Sequence, residues 1–328
     1  MSKFLFSFAV IASGLSAGYL IQILVGKGVC TLPIEVERLR KVLIKIALLF
    51  FNPVTVIGAI WSIRITDPKI IVLPFIGIFA MLLGGAWALL VSKPLRLDRK
   101  ATGSFFACGF YTNTGAIGSL ICFVFLGEIG FALAAIYRLF EEFFFYTVGF
   151  SVARLYSSNR TERETGPGPV PRIRSLLRDP FIFISVAGLI TGTLFRLSGL
   201  RRPEFYSMVI TLFVPLQTIL LLISIGLAMK INRIRDYLRP CVAISVVKFI
   251  IVPFTVTFSA WLLGYREAAN GLFLKVVMIL SSMPVAFTAF VPPTLYRLDM
   301  DLVNSCWLFT TGMLTVTLPA LFVLIHRV

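Results

Sequence analysis

Acidic charge and histidine are what this chain has least of: 15 Asp and Glu stand against 31 Lys and Arg, and the single histidine, His326, sits close to the C-terminus. No HExxH motif is present, and Asp67, Asp98, Asp179, Asp236, Asp299 and Asp301 all lie in loops or at expected helix ends. A membrane-embedded protease or lipid transferase needs converging acids, bases or metal ligands, so these absences argue against an enzyme. There is no GxxxxGK[ST] phosphate loop either, so the chain does not look like an ATPase. Nothing in the pattern calls for a cofactor. The five cysteines (Cys30, Cys108, Cys122, Cys241, Cys306) are odd in number and mostly within apolar runs. They read as small apolar residues rather than as a disulfide frame or metal site.

Charge of either sign is scarce, at 14% of residues, while 58% of the chain is hydrophobic and the mean hydropathy is +0.93. Such a composition belongs to an integral membrane protein. A hydrocarbon core of about 30 Å takes roughly 20 apolar residues per helix. Ten runs of about that length follow one another: 3–25, 39–61, 69–91, 101–126, 129–156, 181–199, 205–229, 237–263, 268–296 and 302–325. The longest connection, 157–180, is rich in Pro, Gly and Arg and cannot bury a core. The expected fold is an all-α polytopic membrane protein with a first block at 1–156, a linker at 157–180 and a second block at 181–328.

The net charge of +16 does not mark a nucleic-acid binder, because the basic residues are spread over the loops. If the loops alternate across the bilayer, 19 Lys and Arg fall on one side and 7 on the other. The positive-inside rule then places the long linker in the cytoplasm and both termini outside, in a plasma or bacterial inner membrane. The opening "MSKFLFSFAVIASGLSAGYL" has features of a cleaved signal peptide. The charge asymmetry works cleanly only when this helix is retained. The sequon at Asn159 lies in the linker, so it is expected to stay unglycosylated in a eukaryotic host.

With five helices per block, the second block must enter the membrane upside down relative to the first. That is the inverted-repeat plan of secondary transporters. Prolines fall at comparable depth in the second and seventh helices, at Pro53 and Pro215. The fourth and ninth helices are each interrupted, in "YTNTGAIGSL" at Asn113, Thr114 and Gly115 and in "ILSSMPVAFTAF" at Ser281, Ser282 and Pro284. Backbone groups freed by a break in hydrocarbon cost several kcal/mol unless protein or an internal cavity satisfies them. Two matching breaks therefore read as a binding site at which broken helices 4 and 9 cross. Their half-helix N-termini would favour an anion.

Ionisable residues inside the spans are costly and need a partner or a wet cavity. Lys45, Arg138, Lys248 and Lys275 are such cations, against Glu141 and Glu142. Lys45 is close enough to its helix end to snorkel. Arg138 lies three and four residues before the two glutamates, so either can pair with it. The surplus of cations favours a negatively charged passenger, with Arg138 and Lys275 as binding residues and Glu141, Glu142 and Lys248 as candidates for ion coupling. Gln217 and Thr218, after Pro215, either line the site or form helix-to-helix hydrogen bonds, the second being the preferred reading.

The stretches "NTGAIG" (Asn113 to Gly118), "YTVG" (Tyr146 to Gly149), "NP" (Asn52, Pro53), "KFIIVP" (Lys248 to Pro253) and "MPVA" (Met283 to Ala286) together resemble the auxin efflux carrier family. That family includes bacterial malate and malonate permeases and is related to the bile acid/sodium symporters. The resemblance runs in order over nearly the whole chain. It implies scaffold and transport domains, an elevator-type motion, an organic anion such as a carboxylate or an auxin-like acid as substrate, and a homodimer. It also implies that Asn113, Thr114, Gly115 and Pro284 are crossover residues. Two departures stand out: Leu120 where the family commonly has a proline, and Arg138 where acidic or neutral residues are more usual. The coupling ion is open between H⁺, Na⁺ in a bile-acid-type symporter, and none. A membrane sensor on the same scaffold would bind the anion without flux.

Overall fold

The computed structural model describes residues 2–29, 34–63, 67–157, 180–229 and 234–327. Cys30, the sequon at Asn159 and nearly all of the linker at 157–180 lie outside the described residues. The helices are α1 (Ser2–Gly26), α2 (Val36–Ser62), α3 (Pro68–Ser92), α4 (Arg99–Phe110), α5 (Ser119–Tyr137), α6 (141–155) and α7 (Pro180–Leu197). There follow α8 (Phe205–Gly226), α9 (Ile234–Leu262), α10 (Ala268–Ser281), α11 (287–296), α12 (Met300–Gly312) and α13 (Leu314–Arg327). Among the described residues there is no strand, only one isolated bridge. The protein is an all-helical, multi-pass membrane protein.

Six helices are long and apolar enough to cross a bilayer, or seven if α12 and α13, bent by 46°, form one span. The ten expected runs exceed that number because several are broken or short as helices. The run at 101–126 divides after α4, the run at 268–296 divides between α10 and α11, and the run at 302–325 bends between α12 and α13. The expected boundary between the fourth and fifth runs is only a bend, at Gly127 (φ 75°, ψ −164°) inside α5. The helix actually stops later, at a turn formed by Arg138, Leu139 and Phe140. Several of the aspartates placed at helix ends act as caps: Asp98 accepts from Ala101 N at 2.7 Å and Asp299 from Leu302 N at 2.9 Å.

The chain forms two compact units. The first comprises Met1–Thr66, Gly115–Ala135 and Asp179–Met229. Within it α1 packs along α8 and α7 along α2. Both seams run over paired glycines, Gly14 and Gly18 in α1 and Gly188 and Gly192 in α7. Lipid removes the hydrophobic drive between helices, so close backbone packing has to join them. A Cβ on Gly18 would collide with the Ile223 carbonyl oxygen, and one on Gly192 would sit 2.9 Å from the Ile57 carbonyl oxygen. Some polar contacts here link separate elements. Gln217 Nε2 donates to Asn52 Oδ1 at 3.3 Å, Thr55 Oγ1 to Gln217 Oε1 at 3.4 Å, and Thr218 Oγ1 to Ala116 O at 3.4 Å. The Arg202 guanidinium holds Glu128, next to the Gly127 bend, at 2.6 Å and the Gly58 carbonyl at 3.0 Å.

The second unit comprises Asp67–Thr114, Ile136–Arg178 and Lys230–Val328. Here α3 packs on α4, α10 on the second half of α9, and α12 on α4 and the first half of α9. Phe105, Phe110, Tyr111, Phe273 and Trp307 are among its fully buried side chains. The opposite face of α9 exposes Leu238, Val242, Val246, Ile250, Phe254 and Phe258, one every fourth residue. That periodicity is a single helix face, apolar because its solvent is lipid.

Prolines shape both units in the same way. Proline has no N–H and crowds the carbonyl four residues back. In α2 and α9 the turn before the proline widens to a π-turn, Ile46–Phe51 before Pro53 and Val247–Ile251 before Pro253. The Asn52 and Val252 N–H groups accordingly reach back five residues, to the carbonyls of Ala47 and Val247. A π-turn re-aims the side chains it carries, and in α9 one of them is Lys248.

Candidate functional site

The site is built where α4 and α10 stop, both in the second unit. After Phe110 the chain leaves the helical region at Tyr111 (φ −87°, ψ 117°), and α10 ends at Ser281, three residues before Pro284. The two non-helical stretches meet as a short antiparallel bridge between Thr112 and Val285. Asn113 N donates to Pro284 O at 2.9 Å, and Ala286 N to Tyr111 O at 3.0 Å. Val285 N donates to Thr310 Oγ1, at 3.3 Å. Each break thus satisfies backbone groups of the other, which is how irregular backbone survives at membrane depth.

Charge is placed around this bridge from two sides. From α9, Lys248 is 1% exposed, and its Nζ donates to Thr112 Oγ1 at 2.6 Å and to Tyr111 O at 3.3 Å. A buried ammonium needs such acceptors. From α6, the Glu141 carboxylate, 6% exposed, has its two oxygens 2.7 and 2.8 Å from Thr114 Oγ1. Arg138 Nε donates to Glu141 Oε2 at 2.6 Å. Tyr111 OH, donating to Phe145 O at 3.1 Å, ties the first break to the next part of α6.

One small cavity lies beside the bridge, lined among others by Gly77, Thr112, Thr114, Arg138, Glu141 and Ser281, with Lys248 reaching it only through Thr112. Its volume is about 10 Å³, room for about one water. Gly77 permits the close approach of α3, since a Cβ there would collide with the Tyr137 carbonyl oxygen. One cation, a carboxylate and four hydroxyl-bearing residues, Thr112, Thr114, Tyr137 and Ser281, line a cavity otherwise walled by apolar side chains, and Lys248 lies behind Thr112. Such an arrangement can bind an anion by charge-assisted hydrogen bonds, and it can hold a water or a small ion among its oxygens.

Of the residues expected from sequence, Asn113, Thr114, Ser281, Pro284, Arg138, Glu141 and Lys248 are brought together here. Ser282 turns back into its own helix, donating to Met278 O at 2.7 Å. Gly115 starts on the π-turn Thr114–Gly118 and belongs by contacts to the first unit. Glu142 is half-buried and does not line the cavity; Lys275 is half-buried on α10 and also stays away from it. Lys45 is exposed at the end of the first helical part of α2. Sequence reasoning missed Thr112, Gly77 and Thr310. Thr112 was visible as a hydroxyl inside "YTNTGAIGSL", but its role depends on Lys248, 136 positions away.

No family model matches the chain. It is 23% identical over 251 residues to an uncharacterized transporter of Methanothermobacter thermautotrophicus, covering 76% of this chain and 77% of the relative. A similar relation, 26% identity over 245 residues, links it to an uncharacterized transporter of Methanocaldococcus jannaschii, covering 72% of this chain and 70% of that one. The chain is therefore a multi-pass membrane protein similar over most of its length to proteins named as transporters.

Proposed function

We propose that the protein is a secondary transporter of a small organic anion, a carboxylate or an auxin-like acid, working by elevator-type alternating access. The observation that carries this reading is the bridge at Thr112 and Val285, with Lys248 fixed on it and the Arg138–Glu141 pair beside it around one cavity. Arg138 presents donors suited to a carboxylate, and Thr112, Thr114 and Ser281 supply hydroxyls. Every residue lining the cavity belongs to one compact unit, so the site can travel as a whole with that unit.

Two inverted five-helix repeats, at 1–156 and 181–328 around the linker, fit several further facts. Glycine pairs with the same spacing occur in α1 and α7, the first helix of each half. Each packs on a helix of the other half, α8 and α2 respectively. Thr55 and Gln217, which touch, are 162 positions apart, the same separation as Pro53 and Pro215. Contacts between equivalent positions are what a pseudo-two-fold axis produces. Both termini outside, a cytoplasmic linker, a plasma-membrane location and a homodimer complete the reading.

A second reading, a sodium-coupled symporter, is favoured by one fact: the cavity has the volume of a single water and hydroxyl and carboxylate oxygens on its wall. The two neighbouring cations oppose a sodium ion there, which favours proton coupling or uniport. The deciding experiment records current from purified protein in proteoliposomes on a solid-supported membrane, with acetate, malonate, malate and indole-3-acetate, with and without Na⁺ or a pH gradient. Radiolabelled uptake covers electroneutral transport. Flux of at least one acid, insensitive to Na⁺, is the expected result. Binding without flux would replace the carrier with a sensor, and strict Na⁺ dependence would favour the symporter.

A further inference from the structure

We infer that Glu141 is a built-in stand-in for the passenger's carboxylate, which neutralises Arg138 in the empty site and so lets the empty carrier return without cargo. The inference rests on the anion-carrier reading of the same site.

Three observations lead to it. First, Arg138 already has a carboxylate: its Nε lies 2.6 Å from Glu141 Oε2. Glu141 is held in place by Thr114 Oγ1, from the chain segment that forms the bridge. Second, the cavity beside this pair, at about 10 Å³, admits a water and not a carboxylate group. The Glu141 carboxylate occupies the Nε side of Arg138, the place a passenger acid would take there. Third, the arginine is not saturated. Among the described residues its only hydrogen bond is that of Nε, and its side chain is 29% exposed, against 6% for Glu141. The two terminal amino groups are free to meet an incoming carboxylate first, in the forked geometry that guanidinium offers.

The charges then follow a simple count. Arg138 and Lys248 are cations, Glu141 is the one acid lining the cavity, and Lys248 is held by neutral acceptors. The empty site carries one uncompensated positive charge with Glu141 present and two without it. A monocarboxylate bound beside Arg138 brings the count to zero. An uncompensated charge inside a membrane opposes movement through low dielectric. Removing the acid adds one charge to each state. Because the cost of a net charge in low dielectric grows faster than linearly, it burdens the empty state, raised from one to two, more than the loaded one, raised from zero to one. Two consequences separate this role from a structural one: without Glu141 the anion loses its internal competitor and binds more tightly, and the carrier exchanges anions but no longer returns empty.

The experiment compares wild type with Glu141→Gln and Glu141→Asp in proteoliposomes, using whichever of acetate, malonate, malate or indole-3-acetate gives flux in wild type. Net uptake into empty vesicles, exchange into vesicles preloaded with the same acid, and equilibrium binding in detergent are measured on the same preparations. In Glu141→Gln, binding should tighten roughly tenfold and net uptake fall roughly tenfold further than exchange does, so that the ratio of net uptake to exchange drops about tenfold. Glu141→Asp, which keeps the charge, should retain net uptake well above the Gln variant. Should the Gln variant not give monodisperse protein, Glu141→Asp carries the test alone, with a ratio of net uptake to exchange of at least half the wild-type value. Loss of exchange together with net uptake in folded Glu141→Gln, retention of both, or weaker binding would each overturn the inference. So would an Asp variant whose ratio falls below that level. If wild type shows neither uptake nor exchange with any of the four acids, it is the anion-carrier reading that fails.

Discussion

The two compact units are made of similar helices but use their polar residues differently. In the first, polar side chains tie elements together: Gln217 to Asn52 and Thr55 to Gln217 between α8 and α2, and Arg202, in the loop before α8, to Glu128 of α5. Its seams are set by glycines, and the Arg202 guanidinium that holds Glu128 also donates to the Gly58 carbonyl. In the second, helices are interrupted, and the freed backbone and buried charges gather at one cavity. Lipid taxes a broken helix and a buried ammonium heavily. Where a chain concentrates both, their retention calls for a task, whereas small-residue seams need only packing to explain them.

The comparison can be broken in several ways, beginning with the largest effect. Arg138→Ala should lower the rate of anion uptake roughly 100-fold, the loss of a charge-assisted interaction of about 3 kcal/mol. Arg138→Lys should recover little, because an ammonium cannot reproduce the fork. Uptake rates in proteoliposomes at matched protein density check both. Gly18→Leu, in the first unit, should instead lower stability by about 3 kcal/mol through overpacking against Ile223. Thermal denaturation in detergent would show the drop, while the folded fraction keeps its anion affinity.

Lys248→Met should weaken anion binding roughly tenfold, since it removes a positive charge near the cavity while leaving Arg138 in place. Equilibrium binding at two ionic strengths measures it, with the loss persisting at high salt because the charge is buried. The smallest effect belongs to Thr55→Val, which removes a hydrogen bond within the first unit. It should cost about 0.6 kcal/mol or less and leave uptake near wild type. A large transport defect there would erase the functional contrast between the units.

Much of this was legible in the sequence, for definite reasons. Apolar run length marked most of the helices, and the Asp98 and Asp299 caps matched the expectation that aspartates sit at helix ends. The breaks at Asn113 and Pro284 were visible because Gly, Asn and Pro are poor helix residues at membrane depth. Arg138 with Glu141 was visible as an i, i+3 pair; the choice of Glu141 over Glu142 was not, because the turn at Arg138–Phe140 lies between them. The meeting of the two breaks was expected from their matching positions, but the register of the bridge and the reach of Lys248 to Thr112 depend on tertiary structure and a π-turn, which leave no local pattern. Lys275 looked like a site residue by depth alone, and depth does not say which face of α10 carries it.

The most direct test of the central claim is the reactivity of a thiol placed in the cavity. Ser281→Cys, in a background with the native cysteines replaced, would be reacted with a small methanethiosulfonate reagent in proteoliposomes, with and without the acid that supports flux. Saturating acid should slow labelling at Ser281→Cys, with half-protection at the concentration that half-saturates uptake, and should leave an equivalent cysteine at Thr55 unaffected. Labelling at Ser281→Cys that is indifferent to the acid, while uptake still saturates, would place the anion elsewhere and contradict the account.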